Sequence, residues 1–425
     1  DRLDKVLVRK DVWAEWKKPG HGDLAFVSKT KGNFDEDKWV TVSYEESEEM
    51  IAQKVVYFIK KHGGNSIGLY GSGQLTLEGQ YLENIFMKGV MSSNTIEANA
   101  RMCMTSAVTA YFATLGSDTP PLCYDDIELA DMVLHFGHNA RESHPIVFWR
   151  VADHKKKNNI PTVVVDPRET GTLKAFQQIN PDNTIHVPIL NGDISLLNSI
   201  AHVLLKDHPD VIDWNFLKNN TTGFDAYVKG VQERYSPEQV MQFMGPRANK
   251  EITPDLIRKI AGMYADATRK GKQRGKGGVL TFWGIGYNQH IHGQHNVISI
   301  INLHLLTGNI GRPGAGPFSM TGQPNAMGER FTGGLTGRLP FNKGLNDEAH
   351  RKQIAMFWRV PEENLRKAAS SKNPGYAVGM MERALKDEVK AMFLIYATHV
   401  DLPDQDNLVR PAITKTFTIV QEIYR

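Results

Sequence analysis

Cys103 is one of only two cysteines in the 425 residues, and it stands where the polar turn around Asn99 gives way to an apolar, helix-forming run from Met104 to Val108. A thiolate is polarizable and suits a heavy, redox-active metal held mostly by sulfur, and the amides that open a helix help keep it ionised. Taken alone, a cysteine at a helix start is more often core than ligand, because free Cys is among the most buried residue types. With Cys123 it makes neither a CxxC pair nor a disulfide framework, so the redox compartment stays open.

Other residues able to bind a ligand recur just after short apolar runs. Ser66 to Tyr70 stops at Gly71-Ser72-Gly73-Gln74, and Asp131 to Phe136 runs into Gly137-His138-Asn139-Ala140-Arg141-Glu142-Ser143-His144. Thr162 to Val165 ends at Asp166-Pro167-Arg168-Glu169, Ile185 to Pro188 leads through Asn191-Gly192-Asp193, and Val279 to Trp283 ends at Gly284-Ile285-Gly286-Tyr287-Asn288-Gln289. Most of these runs are followed by a helical pattern: Leu77 to Val90, Pro145 to Lys157, Ile194 to Leu205 and about Asn296 to Leu306. Apolar strand, polar loop, helix, repeated, predicts doubly wound α/β architecture with a largely parallel sheet. In such sheets ligands bind beyond the carboxyl ends of the strands, where these loops lie. One such loop alone reads more readily as an ordinary βα turn.

Before the first unit, Val40 to Lys61 reads as a strand and an amphipathic helix ended by Gly63-Gly64. Between Gly308 and Pro340 the chain is rich in glycine and proline, and the spacing predicts a long loop without regular structure, wrapped on a ligand through Phe318, Met320, Phe331 and Leu335. Lys390 to Tyr396 and Phe417 to Tyr424 read as two last strands around a helix near Gln405 to Ile413. The expected division is 1–65 as lead-in and remainder of an N-terminal domain, 66–275 as a first α/β domain with Cys103, and 276–425 as a second with the glycine-rich loop. A strand at the very end without its binding loop suggests an internal fragment of a longer chain.

Composition excludes some classes. The net charge is +3 and the sequence pI about 8.6, too mild and scattered for a nucleic-acid binder, and runs such as Lys155-Lys156-Lys157 read as solvated helix ends. No apolar stretch approaches the ~20 residues of a membrane span. His290, His292 and His295 invite a zinc reading, but they lack nearby carboxylate or cysteine partners, so a solvated cluster or the lining of a funnel is the better reading.

Taken in order, Tyr70 to Gln74, Asn99 to Met104, Cys123 to Asp126, Gly137 to Pro145, Asp166 to Arg168, Leu303 to Gly308 and Pro317 to Gly328 resemble the molybdopterin oxidoreductase family, and within it the nitrate reductase branch. The resemblance implies two α/β cofactor domains around molybdenum held by two pterin guanine dinucleotides, Mo-bis(molybdopterin guanine dinucleotide). It makes Cys103 the metal ligand, with Met104 beside it and Arg330 binding the anion. It assigns cofactor contacts to Gly73, Gln74, Asn99, Gly137, His138, Asn139, Glu142, Asp166, Pro167, Arg168, Glu169, Gly192, Asp193, Ile285, Gln289, Gly322, Gln323 and Asn325. The chemistry is suitable: carboxylates accept from guanine or ribose, a guanidinium pairs with phosphate or a planar oxyanion, and glycines let backbone approach a ligand.

Cys followed by Met fits nitrate reductases, whereas formate dehydrogenases of the family place His there. A non-catalytic scaffold of the same fold is expected to have lost Cys103 and the pterin loops. Ile285 departs from the Met common in the family, which bears on the substrate pocket. The family's 4Fe-4S cluster needs four cysteines in an N-terminal segment, which this chain lacks, and its C-terminal domain is expected to be missing too. The implied reaction is nitrate to nitrite, with a cytochrome c-type subunit, a ferredoxin or a flavoprotein as electron donor. Asp166-Pro167-Arg168 and Gln323 to Met327 lean towards the cytoplasmic, assimilatory branch, and Asn288-Gln289-His290 towards the periplasmic one.

Overall fold

The computed structural model describes residues 2–33, 35–244, 251–367 and 376–423. Along the chain the strands are β1 (Val6–Arg9), β2 (Trp39–Val42), β3 (Ile67–Gly71), β4 (Ile96–Ala98), β5 (Met132–Phe136), β6 (Thr162–Val165), β7 (Thr184–Val187), β8 (Val279–Trp283), β9 (Gly316–Ser319), β10 (Arg338–Leu339), β11 (Lys343–Gly344), β12 (Ala391–Ile395) and β13 (Phe417–Gln421). They fall into two compact units, one formed by Asp1–Cys103 with Gln323–Arg425 and the other by Met104–Gly322.

In the first unit, β13-β12-β3-β4 form a four-stranded sheet, parallel throughout. Every residue of β3 is buried, as a parallel strand covered on both faces must be. Trp16, Phe58, Leu69 and Phe393 pack in one apolar cluster of this unit, and Tyr70, Met380, Leu394 and Val409 in another. The helix Tyr44–His62 starts where Ser43 accepts from the Glu46 amide and Glu46 reaches back to Ser43, a reciprocal cap written in the sequence as Ser-x-x-Glu.

In the second unit, β7-β6-β5-β8-β9 form a five-stranded parallel sheet. Strand order runs outward from β5 through β6 and β7 on one side and through β8 and β9 on the other, so winding reverses between β5 and β8. Helices Pro145–Asn158, Gly171–Ile179, Asp193–Asp207, Pro254–Arg274 and Gly293–Thr307 belong to this unit, and Val133, Phe148, Phe176, Leu280 and Phe282 share an apolar cluster in it.

The parallel α/β class agrees with the sequence reading, but two expectations change. The division at 275/276 does not follow the sheets: β8 pairs with β5 (Met132 beside Val279 to Phe136 beside Trp283), and β12 pairs with β3. Backbone pairing, which local patterning cannot see, decides which strands share a sheet. Nor is 308–340 structureless, since it holds β9, the helix Ala326–Thr332 and β10. Its glycines and prolines punctuate short elements instead of abolishing them. Tyr424, at the end of the expected last strand, lies outside the described residues.

Candidate functional site

In the first unit the site is built on the carboxyl ends of β3 and β4. β3 stops at Gly71 and Ser72 is buried below the turn. The Asn99 amide donates to the Gly71 carbonyl (3.1 Å), its Nδ2 donates to Ser72 Oγ (3.0 Å), and its Oδ1 accepts from the Gly73 amide (3.1 Å). Asn99 thus clamps the loop after β3 with both ends of its side chain. Its own carbonyl accepts from the amides of Met102 (3.0 Å) and Cys103 (3.2 Å), starting the helix Ala100–Leu115. Cys103 therefore sits in the first helical turn, part-buried and outside any disulfide, where backbone dipoles favour a thiolate. Met104 beside it is buried.

The glycine-rich segment is stitched to the same loop. The Asn325 amide donates to the Gly73 carbonyl (2.9 Å), and Asn325 Nδ2 donates to the Leu75 carbonyl and to Gln80 Oε1 (both 3.0 Å). A Cβ on Gly73 would lie 2.7 Å from Gln323 Oε1, an acceptor that is buried without a hydrogen-bond partner. Arg330, on the helix Ala326–Thr332, is half-buried, and its pKa is lowered by burial first and then by Arg338 and Arg101. Arg101 itself bonds Glu97 (Nε to Oε2, 3.1 Å) and stacks over the Tyr376 ring (4.9 Å). The unit gathers positive charge near Arg330, three residues of one sign, in a setting suited to a small anion. Gln74 and Gly322 are exposed.

In the second unit the loops after β5 and β8 meet where the winding reverses, the position at which α/β sheets bind ligands. Gly137 has φ +52, and a Cβ there would lie 2.3 Å from the Gly286 carbonyl carbon and 2.5 Å from the Tyr287 amide. Only glycine allows the two backbones this approach. Asn139 Oδ1 accepts from Thr172 Oγ1 (2.9 Å) and its amide (3.3 Å), tying the β5 loop to the helix after β6. Asp166 is buried at the end of β6 and accepts from the Arg168 amide (2.9 Å), while Pro167, Arg168 and Glu169 project into solvent with Glu142, Ile285 and Gln289. Gly192 and Asp193 open the helix after β7, and burial raises the Asp193 pKa against the opposing influence of His290.

The sequence reading named His138 but not the chain it belongs to. His135 in β5 bonds His138 (Nδ1 to Nδ1, 3.2 Å), His138 Nε2 bonds His144 Nδ1 (3.0 Å), and His144 Nε2 donates to the Thr321 carbonyl (2.9 Å). A relay of imidazoles fixes the β5 loop to the glycine-rich segment. His135 and His138 are buried and held neutral, His135 with its pKa brought down to about 3. His290, His292 and His295 are exposed, and among the described residues no three His, Cys, Asp or Glu side chains gather as a metal site. Also missed were Glu83, Glu97, Glu329 and Lys88, all buried. The one signal for them was charge placed inside otherwise apolar stretches, such as Lys88 within Ile85 to Val90.

The sequence model named molybdopterin oxidoreductase matches residues 2–425. The chain belongs to the molybdopterin oxidoreductase family. It is 35% identical over 390 residues to a nitrate reductase of Synechocystis sp., covering 91% of this chain and 50% of the relative. It is 35% identical over 394 residues to a nitrate reductase of Symbiobacterium thermophilum, covering 90% of this chain and 48% of that one. The chain spans about half the length of these curated relatives. Acetylene hydratase from Pelobacter acetylenicus shares the fold, with a TM-score of 0.62 at 18% identity over 91% of this chain and 51% of that one.

The residues present fit the metal–pterin group of this family. They include a part-exposed thiol at a helix start and, beside Gly73, an orphaned buried acceptor at Gln323. No helix among the described residues is long and apolar enough to cross a membrane.

Proposed function

We propose that this chain carries the catalytic metal site of a molybdenum nitrate reductase, which reduces nitrate to nitrite. The observation that carries the reading is the pairing, in one unit, of a helix-start thiol with a half-buried guanidinium flanked by two further arginines. The shared name of two relatives at 35% identity supports the choice of nitrate.

Cys103 would ligate molybdenum through its thiolate. Gly73, Gln323 and Asn325 in the first unit, and Gly137, Asn139, Glu142, Asp166, Arg168, Asp193 and Gln289 in the second, would hold two pterin guanine dinucleotides. When bound, this group supplies two-electron oxygen-atom chemistry. Arg330 binds and orients the nitrate, because a planar guanidinium fork matches a planar oxyanion with two parallel hydrogen bonds. Arg101 and Arg338 add to the positive field that draws the anion in. Asn99 holds the Cys103 turn through its backbone carbonyl and the Gly73 loop through both ends of its side-chain amide. The motifs after β6 and in the glycine-rich segment favour the assimilatory, cytoplasmic setting with a ferredoxin or flavoprotein donor.

The test is elemental analysis of the purified protein for molybdenum, together with nitrite formation from nitrate with a reduced viologen dye. Stoichiometric molybdenum with nitrate-dependent dye oxidation is the expected result. Protein without molybdenum, or loaded protein that oxidises formate and leaves nitrate untouched, overturns the proposal.

A further inference from the structure

The first unit also holds three buried acids in the elements that lead to Cys103 and Arg330. Glu83 (helix Leu77–Asn84) is 7% exposed, while Glu97 in β4 and Glu329 (helix Ala326–Thr332) are fully buried. Neither carboxyl oxygen of Glu329 has a hydrogen-bond partner, nor does Glu83 Oε1. The buried cation beside them, Lys88, gives its protons elsewhere, to Asn84 Oδ1 (2.8 Å) and to the carbonyls of Gly333 (2.6 Å), Leu335 (2.9 Å) and Arg338 (2.7 Å). Of the three acids, Glu97 alone is paired, with Arg101 and with the Ala98 amide (3.2 Å).

A buried carboxylate without counter-ion or donor is several kcal/mol above its neutral form. Glu329 and Glu83 are therefore carboxylic acids carrying a proton at neutral pH. The backbone makes room for them: a Cβ on Gly334 would lie 2.1 Å from Glu329 Oε2, and one on Gly71 would lie 2.6 Å from Glu83 Oε2. Each sits against the machinery. Glu83 presses on the residue that opens the Gly73 loop, Glu97 lies in the strand that leads to Cys103, and Glu329 immediately precedes Arg330.

We propose that Glu329, with Glu83 behind it, is the internal proton source for reduction at the Cys103 and Arg330 site. The proposal rests on the nitrate reading. Nitrate, two protons and two electrons give nitrite and water: one N–O bond breaks, nitrogen is reduced, and the departing oxygen leaves as water with both protons. The electrons come from a one-electron donor protein by way of the family's metal–pterin group. Glu329 gives up its O–H proton towards the anion and regains one from Glu83, which has the only solvent exposure of the pair and is refilled from water. Glu97, whose pKa burial raises against the pull of Arg101, closes the group through its bond to that guanidinium. Burial brings the Glu83 pKa up to about 8 and lifts Glu329 well above the carboxylate range, with Glu83 and Glu97 adding to the rise and Lys88 opposing it. Lys88 is itself pulled down to about 7 by burial, against the pull of Glu97 and Glu329. Proton supply should thus fail as pH rises through the Glu83 range.

The test uses the whole cofactor-loaded enzyme with Glu329→Gln and Glu83→Gln, which keep volume and neutrality. E329Q should keep its KM for nitrate within about twofold and lose roughly a hundredfold in kcat, with a larger solvent deuterium isotope effect. E83Q should lose the alkaline limb of the kcat profile. Infrared spectra of the resting protein at neutral pH should show the carbonyl band of a protonated carboxylic acid, diminished in each variant. If E329Q does not fold, E83Q and the wild-type infrared band decide. An active wild-type enzyme without that band, or variants with unchanged kcat, isotope effect and pH profile, overturns the relay alone. A loaded wild-type enzyme that makes no nitrite overturns the nitrate reading and the relay with it.

Discussion

Acid should unfold the second unit first, and by a calculable amount. His135 sits among Phe176 and Phe282 with ring centroids 5.5 and 5.4 Å away, and burial brings its pKa to about 3. His138, between His135 and His144, is pushed well below the usual value by burial and its two neighbours. His304 donates through Nδ1 to the Asn309 carbonyl (2.9 Å) and accepts from the Thr281 hydroxyl (2.8 Å), and burial brings its pKa to about 4. In the unfolded chain each of the three protonates near pH 6.5. Between that value and the folded ones unfolding takes up protons, so stability is complete above about pH 6.5 and falls with acid. At about 1.4 kcal/mol per proton per pH unit, His135 and His304 each cost about 2 kcal/mol by pH 5, about 4 together, and His138 acts in the same direction. That is a large share of the roughly 5–15 kcal/mol holding a typical domain.

The first unit has the opposite sign. Glu83, with its pKa raised to about 8, binds a proton in the folded state that it lacks when unfolded, so its contribution is present in acid and lost as pH rises through about 8. Calorimetry from pH 7 to 5, with amide hydrogen exchange on β8 and β12, should show a melting-temperature fall of roughly 10 °C and β8 losing protection before β12. His304→Gln lowers stability at every pH, so its readout is the slope, which should shrink by about one proton, ~1.4 kcal/mol per pH unit. A wild-type slope below one proton, or β12 opening first, would refute the account.

Cys103→Ser should leave the melting temperature within a few degrees, since the residue is part-exposed, while molybdenum content measured by mass spectrometry and nitrate turnover both collapse. Arg330→Ala should keep the metal and raise KM for nitrate, lowering kcat/KM by roughly a hundredfold, the loss of a charge-assisted fork, read in steady-state assays. Gly137→Ala forces a Cβ to 2.3 Å from Gly286 at positive φ, so it should cost about 3 kcal/mol in denaturant titration and release the cofactor on gel filtration. Asn99→Ala removes the bonds to Gly73 and Ser72 and should cost about 1–3 kcal/mol, with faster proteolysis at the 72–75 loop as its check.

Periodicity and punctuation in the chain were enough to locate β3, β5, β6, β7, β8, β12 and β13, several of the glycine turns after them and the helix whose first turn holds Cys103, because burial on both faces of a parallel sheet writes a strand as an apolar run; the short β1, β4, β9, β10 and β11 carry too few residues to show one. The loops at β3, β5, β6 and β8 were legible for the same reason: a special backbone angle or a close approach demands Gly, and a cap demands Asn or Asp. Strand partners were not legible. β8 follows a long helical stretch and looked like the start of a new domain, yet it pairs with β5, since backbone hydrogen bonding carries no residue-specific signature.

The use of each polar side chain was likewise settled only by the fold. Asn99 reads in sequence as a ligand contact and is spent on bracing the Gly73 loop. Glu83 and Glu329 are 246 positions apart in the chain and read as ordinary helix carboxylates. Their neutrality comes from an interior assembled by residues remote in sequence. Local chemistry and spacing are properties of the sequence, whereas desolvation is a property of what surrounds a side chain, and only tertiary packing sets it.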